Sequence, residues 1–211
     1  MLDIVADRPE VTDVIAAEPH RIRRVFSTLA LAFASDPPSR WLFPEPESYL
    51  QHFPAFARAL AGPSLQRRTA LATADYGAVA LWLAPGDGPD EDAMADLIDE
   101  EVRPDKKDDV AAVIEEMGRY HPLEPHWYLP FIGVEPARQG QGLGGALLRS
   151  SLARVDADGL PAYLESTNPR NRPLYERHGF EALGEIRIGS CPPIVPMLRR
   201  ARDRVRSPGQ A

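Results

Sequence analysis

From Val134 to Leu148 the chain reads Val-Glu-Pro-Ala-Arg-Gln-Gly-Gln-Gly-Leu-Gly-Gly-Ala-Leu-Leu, an apolar run joined to a helical pattern through a glycine-dense turn. Gly140, Gly142, Gly144 and Gly145 lack Cβ atoms, so the backbone can take positive φ and bring several N–H groups onto one anion. The helix that follows aims its partial positive end at the same point. A ligand with a diphosphate is the chemistry this spacing suits. Metal chemistry is not expected, because His20, His52, His121, His126 and His178 show no metal-ligand spacing. The single cysteine, Cys191, precedes two prolines and has no base partner in the motif, which speaks against a covalent intermediate.

Three phosphate-binding patterns compete for these glycines. The Walker pattern fails, because Ala146 and Leu147 stand where Lys and Ser or Thr would follow the last glycine. Gly140, Gly142 and Gly145 satisfy G-x-G-x-x-G, and Glu165 lies at a suitable distance to hold a ribose, as in a nicotinamide oxidoreductase. Context argues against that reading: Glu135 to Gln139 separate the glycines from the apolar run, and the residues after Gly145 read as strand, short helix, strand, strand. Such a remainder does not complete a doubly wound sheet.

The third pattern, Q/R-x-x-G-x-G/A, is matched by Gln139, Gly142 and Gly144 between an apolar strand and an amphipathic helix. With it the chain resembles the GNAT superfamily of acetyl-coenzyme A-dependent N-acetyltransferases. A second segment, Asn168-Pro-Arg-Asn-Arg-Pro-Leu-Tyr-Glu-Arg-His-Gly-Phe180, is similar to that superfamily's tyrosine-bearing segment, one helix and one strand further on. Across roughly residues 120 to 200 the chain is also similar to puromycin N-acetyltransferase and its small-molecule-modifying relatives. The first half matches only in general order.

The resemblance implies a site. Two neighbouring parallel strands, 127 to 134 and 161 to 166, would splay at their C-terminal ends and let pantetheine pair with Ile132, Gly133 and Val134. The diphosphate of acetyl-coenzyme A would lie against Gln139, Gly140, Gly142, Leu143, Gly144 and Gly145, with Arg138, Asn171 and Arg172 close by. Tyr175 is implied as the proton donor to the departing thiolate. The backbone N–H near Ile132 is implied as the oxyanion partner. An alkyl amine titrates near pH ~10, so it needs a base before it can attack. Glu165, near the end of the splayed strand, is the candidate, with pairing to Arg170 or Arg172 the structural alternative. Trp41, Tyr49 and Tyr128 are candidate acceptor contacts, although aromatic core packing explains such residues equally well.

The elements that must hold these residues follow from periodicity. Val11 to Ala16 reads as a strand, and Ile22, Val25, Phe26, Leu29, Ala30 and Phe33 mark an amphipathic helix over about 18–34 that Asp36-Pro-Pro38 stops. A second helix over 46–61 should bend or divide at Pro54. Residues 69–74 and 78–84 read as a hairpin around Asp75-Tyr-Gly77, and two acidic helices follow near 90–102 and 105–120. After the cofactor strand come a helix, the strand 162–166, a short helix with Asn171 as its cap, and two strands, Phe180 to Ile188 and Ile194 to Leu198. The expected fold class is α/β: a mixed, mostly antiparallel twisted sheet of six to seven strands flanked by helices, with one domain over 1–200 and a disordered tail over 201–211.

Composition bounds the rest. A chain of 211 residues, 44% hydrophobic and 26% charged, is sized for one compact domain. A net charge of −7 argues against nucleic-acid binding, although Arg138, Arg149, Arg170, Arg172 and Arg177 form a local basic set. One cysteine precludes an intrachain disulfide, and neither a long apolar run nor a signal-peptide plan is visible. The expectation is a cytoplasmic monomer or homodimer, with no membrane or nucleic-acid partner, that acetylates a primary amine of a small molecule such as an aminonucleoside or antibiotic-like amine. A protein or peptide N-acetyltransferase and a catalytically silent acyl-coenzyme A sensor are the alternatives.

Overall fold

The computed structural model describes residues 13–202. In chain order it contains β1 (Val14–Ala16), α1 (Ile22–Ala32), α2 (Pro37–Leu42), α3 (Pro46–Ala61), α4 (Pro63–Gln66), β2 (Leu71–Thr73) and β3 (Ala78–Leu83). There follow α5 (Glu91–Glu101), α6 (Lys107–Tyr120), β4 (Trp127–Val134), α7 (Leu143–Asp158), β5 (Ala162–Ser166), α8 (Arg172–Arg177), β6 (Glu181–Ala182) and β7 (Val195–Arg199). The strands form one seven-stranded sheet in the order β1-β2-β3-β4-β5-β7-β6. Only β4 and β5 pair in parallel; every other neighbouring pair is antiparallel. No described helix is long and apolar enough to cross a membrane.

Both faces of the sheet are covered, and the period-2 alternation of β3 shows how. Val79 and Leu81 face a core built with Val25, Phe26 and Leu29 of α1 and Phe53 and Ala57 of α3. Ala78, Ala80 and Trp82 face the other core, with Leu143, Leu147, Leu148 and Leu152 of α7 and Tyr175 of α8. All six residues of β3 are therefore buried, as expected for a strand with helices on both sides. Gly133 belongs to the same logic, because a Cβ there would lie 2.8 Å from the Ala32 methyl and hold α1 away from β4.

Several expectations are corrected by local chemistry. Asp36-Pro-Pro38 ends one helix but also begins another: the Asp36 carboxylate accepts from the Ser39 N–H, and Pro37 and Pro38 fill the first helical positions of α2. Pro54 neither ends nor divides α3, since Phe53 and Ala57 are fully buried and packing holds the two halves together. Asn171 makes no side-chain cap for α8; Asn168 accepts from the Arg170 N–H instead. The long strand expected over 180–188 shrinks to β6 plus a single bridge between Ile186 and Ile194. Residues 11–12 of the first expected strand and 203–211 of the expected tail lie outside the described residues.

One buried ion pair locks the helix after the glycine turn to the opposite end of the sheet. Arg199, 3% exposed at its side chain, forks onto Asp156 of α7 at 2.7 and 2.9 Å, and its Nε donates to the His178 carbonyl just after α8. Loss of the carboxylate leaves a buried guanidinium half-satisfied. Asp156→Ala should lower unfolding free energy by about 3 kcal/mol, the low end for one partner removed from a buried pair because Asp156 keeps some contact with water. Urea denaturation checks this, and an unchanged midpoint would show the fork to be dispensable.

Candidate active site

The parallel pair β4 and β5 holds together only at its start. Trp127 faces Ala162 and Tyr128 faces Tyr163, and there the register ends. Beyond it β4 stays paired to β3 as far as Val134, and β5 stays paired to β7 as far as Ser166. Each strand thus keeps its outer neighbour and loses its inner one, leaving a V-shaped cleft with open backbone groups on both walls. Irregularity in β4 sits at the apex: its register against β3 shifts between Leu81 and Leu83, opposite Tyr128 to Phe131, where Pro130 has no N–H to give.

The glycine turn lies at the C-terminal end of β4. A short 3-10 turn over 136–138 leads to Gly140 and Gly142, with φ of +77° and +79°, and Gly142 is the residue before the first turn of α7. No side chain caps that helix, so its first N–H groups are left to an incoming ligand. A Cβ on Gly140 or Gly142 would meet nothing within 4 Å, so protein packing is not what demands glycine there. Open space, positive φ and uncapped N–H groups fit a diphosphate, and the parted strands fit an extended pantetheine arm, so the residues suit coenzyme A. Gln139 donates to the Val134 carbonyl at 3.2 Å and ties the turn to the strand.

Between the parted strands and α2, α5 and α6 lies a cavity of about 480 Å³. Its floor is the Tyr128 to Ile132 stretch of β4 with Leu164 and Glu165 of β5, and its roof includes Met94, Ile98, Val113 and Met117. Tyr175 and Asn171 reach it from the α8 side. The Tyr175 phenol is 6% exposed, and burial first, then the charge of Asp36, pushes its pKa well above the ordinary value. It stays protonated at neutral pH and can donate. The Glu165 side chain is 5% exposed, and its Oε1 has no hydrogen-bond partner among the described residues. An unpaired buried carboxylate oxygen is costly unless a ligand satisfies it.

The residues singled out from sequence do not all converge. Trp41 and Tyr128 line the cavity, as do Ile132 and Asn171. Tyr49 does not: it is 1% exposed, stacks on Phe53 and donates to the Ala30 carbonyl, so the expectation of a substrate contact is corrected to a core role. Arg138 is committed to an ion pair with Asp75 in the β2–β3 turn. The Arg172 Nε is buried without a partner, while its terminal nitrogen lies 3.7 Å from Glu176. Glu165 does not pair with Arg170 or Arg172; its nearest ionic neighbour is His121, at 3.9 Å.

Other cavity residues carried no local signal. Thr167 donates to Asp36 at 2.5 Å and ties α2 to the end of β5, across 131 positions of sequence. Burial raises the pKa of the Asp36 carboxyl, and the hydrogen bonds from Thr167 and Ser39 oppose that. Cys191 also lines the cavity. Burial, with the charges of Asp109 and Asp36, pushes its thiol up to about 11.

The acetyltransferase (GNAT) family model matches residues 89–180. An uncharacterized N-acetyltransferase of Schizosaccharomyces pombe is 30% identical over 131 residues, 54% of this chain, and the chain spans only 51% of that relative's length. Among solved structures, histone acetyltransferase HPA2 and related acetyltransferase from Corynebacterium glutamicum aligns with a TM-score of 0.62 at 24% identity, covering 90% of this chain and 96% of that one. Arylalkylamine N-acetyltransferase 2 of Aedes aegypti aligns at 0.64 and 14% identity over 90% and 99% of the two chains. The Drosophila melanogaster polyamine N-acetyltransferase aligns at 0.64 and 16% identity over 89% and 100%. The chain therefore has the GNAT fold, and its residues 89–180 match the acetyltransferase (GNAT) family model.

Proposed function

We propose that this protein transfers acetyl from acetyl-coenzyme A directly to a primary amine on a small molecule with an apolar, aryl-like or nucleoside-like body. The observation that carries the reading is the cleft between β4 and β5, with an uncapped glycine turn at one end and a mostly apolar cavity lined by Tyr175 and Glu165 at the other. Coenzyme A, when bound, supplies the activated acyl group. Open backbone at Ile132, Gly133 and Val134 would orient it as an added strand does, and Gly140 to Gly145 would hold its diphosphate.

Within the cavity the division of labour follows from chemistry. Glu165 takes a proton from the ammonium, leaving a nucleophilic amine. The backbone N–H near Ile132 stabilises the oxyanion. Tyr175 gives its proton to the departing thiolate and recovers one from the attacking nitrogen. Asn171 and Arg172, at the α8 entry, steady the cofactor. A thiol held up to about 11 is uncharged at neutral pH, so Cys191 is a poor relay for the acyl group, which favours direct attack.

The acceptor class is argued from the lining. Leucines, isoleucines, methionines and aromatic rings dominate it, and Glu91 and Glu165 are its carboxylates. That surface favours an arylalkylamine or aminonucleoside over a polycation. Enclosure beneath α2, α5 and α6 favours a small molecule over a peptide. A silent acyl-coenzyme A sensor would bind the cofactor yet release no thiol with any amine.

Three outcomes follow. Tyr175→Phe should lower kcat by on the order of a hundredfold with little change in coenzyme A affinity, whereas unchanged turnover across the pH range would remove Tyr175 from the acid role. Gly142→Val should cost roughly 1–2 kcal/mol of backbone strain and weaken coenzyme A binding at least tenfold by calorimetry; retained affinity would place the diphosphate elsewhere. Cys191→Ser should keep near-normal turnover, and an acetylated Cys191 trapped in the wild type by mass spectrometry would refute direct transfer. A thiol-release assay over arylalkylamines, aminonucleosides, amino-sugars and polyamines tests the acceptor class.

A further inference from the structure

Two histidines join Glu165 to the protein surface, and nothing in acetyl transfer itself requires them. His121 follows the last residue of α6, and His126 immediately precedes β4. Their Nε2 atoms lie 2.9 Å apart. His126 Nδ1 lies 2.7 Å from the Glu124 carbonyl, and His121 Nδ1 lies 3.9 Å from Glu165 Oε1.

With both rings neutral, one assignment of the protons satisfies these contacts. A carbonyl only accepts, so His126 is protonated at Nδ1 and offers a lone pair at Nε2. His121 must then donate from Nε2, which turns the lone pair of its Nδ1 towards Glu165. The chain of donors and acceptors therefore points one way, outward from the carboxylate. At its inner end Glu165 is nearly enclosed, at 5% side-chain exposure, while His121 is 34% exposed. His121 packs edge-on against Tyr128 and Tyr163, with ring centroids 4.8 and 4.7 Å away. Tyr120, Tyr128, Tyr163, Glu124 and Glu165 are the titratable groups that face the pair from α6, β4, β5 and the intervening loop. The Tyr163 hydroxyl, like Glu165 Oε1, is buried without a hydrogen-bond partner among the described residues.

We propose that His121 and His126 are positioning and relay residues that carry the amine's surplus proton from Glu165 to solvent, a role that rests on Glu165 being the base. Proton bookkeeping requires such an exit. Of the three ammonium protons, one stays in the amide, one replaces the proton Tyr175 gives to sulfur, and one must leave. Glu165 takes that one and passes it to His121 Nδ1 once the two side chains close their 3.9 Å separation to hydrogen-bonding distance. His121 Nε2–H then moves to His126 Nε2, and His126 Nδ1–H goes to water beside Glu124. Proton exchange with water, gained at His126 Nδ1 and lost from the partly exposed His121, restores the starting tautomers. Burial is the first cause that holds His126 below the usual histidine range, so it is neutral at pH 7 and able to accept.

His126→Gln, which preserves polarity but cannot pass a proton on, should lower kcat roughly tenfold with unchanged KM for acetyl-coenzyme A. Added imidazole should restore the rate in a saturable way. His121→Gln is the second variant, carrying the test if the first does not fold, and unaltered coenzyme A affinity certifies either one. Wild-type turnover in both variants, or a loss that imidazole does not repair, overturns the relay. Glu165→Gln separates the two readings: its deficit should shrink as pH rises towards the amine's own pKa. If Glu165→Gln is impaired in that way while the histidine variants are normal, only the relay fails; if Glu165→Gln is fully active, the base assignment fails and the relay with it.

Discussion

Everything at this site depends on two parallel strands that part after two residue pairs. A parallel ladder normally runs the length of its strands, because unpaired backbone groups in a protein interior are costly. Here each strand keeps an antiparallel neighbour on its outer side beyond the point of parting, β3 for β4 and β7 for β5. The sheet survives the opening for that reason. The irregular stretch around Pro130 marks where pairing to both sides becomes incomplete. The resulting cleft presents donors and acceptors that an extended ligand with amide groups can satisfy.

Holding the two ends of the cleft in register is a separate problem, solved by contacts distant in sequence. Arg199 of β7 joins Asp156 of α7 to the carbonyl that follows α8, so the helix beneath the glycine turn and the helix that bears Tyr175 are clamped to the same strand. Asp36 does the same for the acceptor side, linking α2 to Thr167 just beyond β5. Trp41 and Ser190 are linked at 2.9 Å, and Ser190 in turn donates to Asp109, so α2, α6 and the loop before β7 close over the cavity. A few tenths of an ångström matter when a nitrogen must approach a thioester, and these links lie outside the reacting groups.

The electrostatics are those of an apolar cavity with few charges. Tyr175 is kept protonated by burial and by Asp36, so it serves as a donor and not as a base. Among the described residues Glu165 Oε1 has no hydrogen-bond partner, His121 stands behind it, and burial together with the Glu165 carboxylate raises the pKa of the Tyr128 and Tyr163 phenols beside it. In such surroundings each charge acts over short distances with little screening, which suits a reaction that moves protons between a carboxylate, an amine and a phenol.

How much of this was legible in the chain depends on whether the signal was local. The glycine turn, the amphipathic helices and the strand 162–166 could be read directly, because positive φ, helical periodicity and alternation are properties of neighbouring residues. Errors arose where a residue has two local uses, as with Asp36-Pro-Pro38, Pro54 and Asn171, and packing or a competing cap chose between them. Tyr49 and Trp41 look alike in sequence, yet one fills the core and the other lines the cavity, because only the crossing of α1, α2 and α3 decides which side faces in. His121 and His126 showed no motif at all. The sequence by itself determined the positive-φ glycine turn before α7 and the types of titratable groups available, since these follow from backbone freedom and side-chain chemistry. Tertiary structure alone decided the parting of β4 and β5, the enclosure of Glu165 and the meeting of two histidines with it, because each needs strands and loops far apart in the chain to settle against one another.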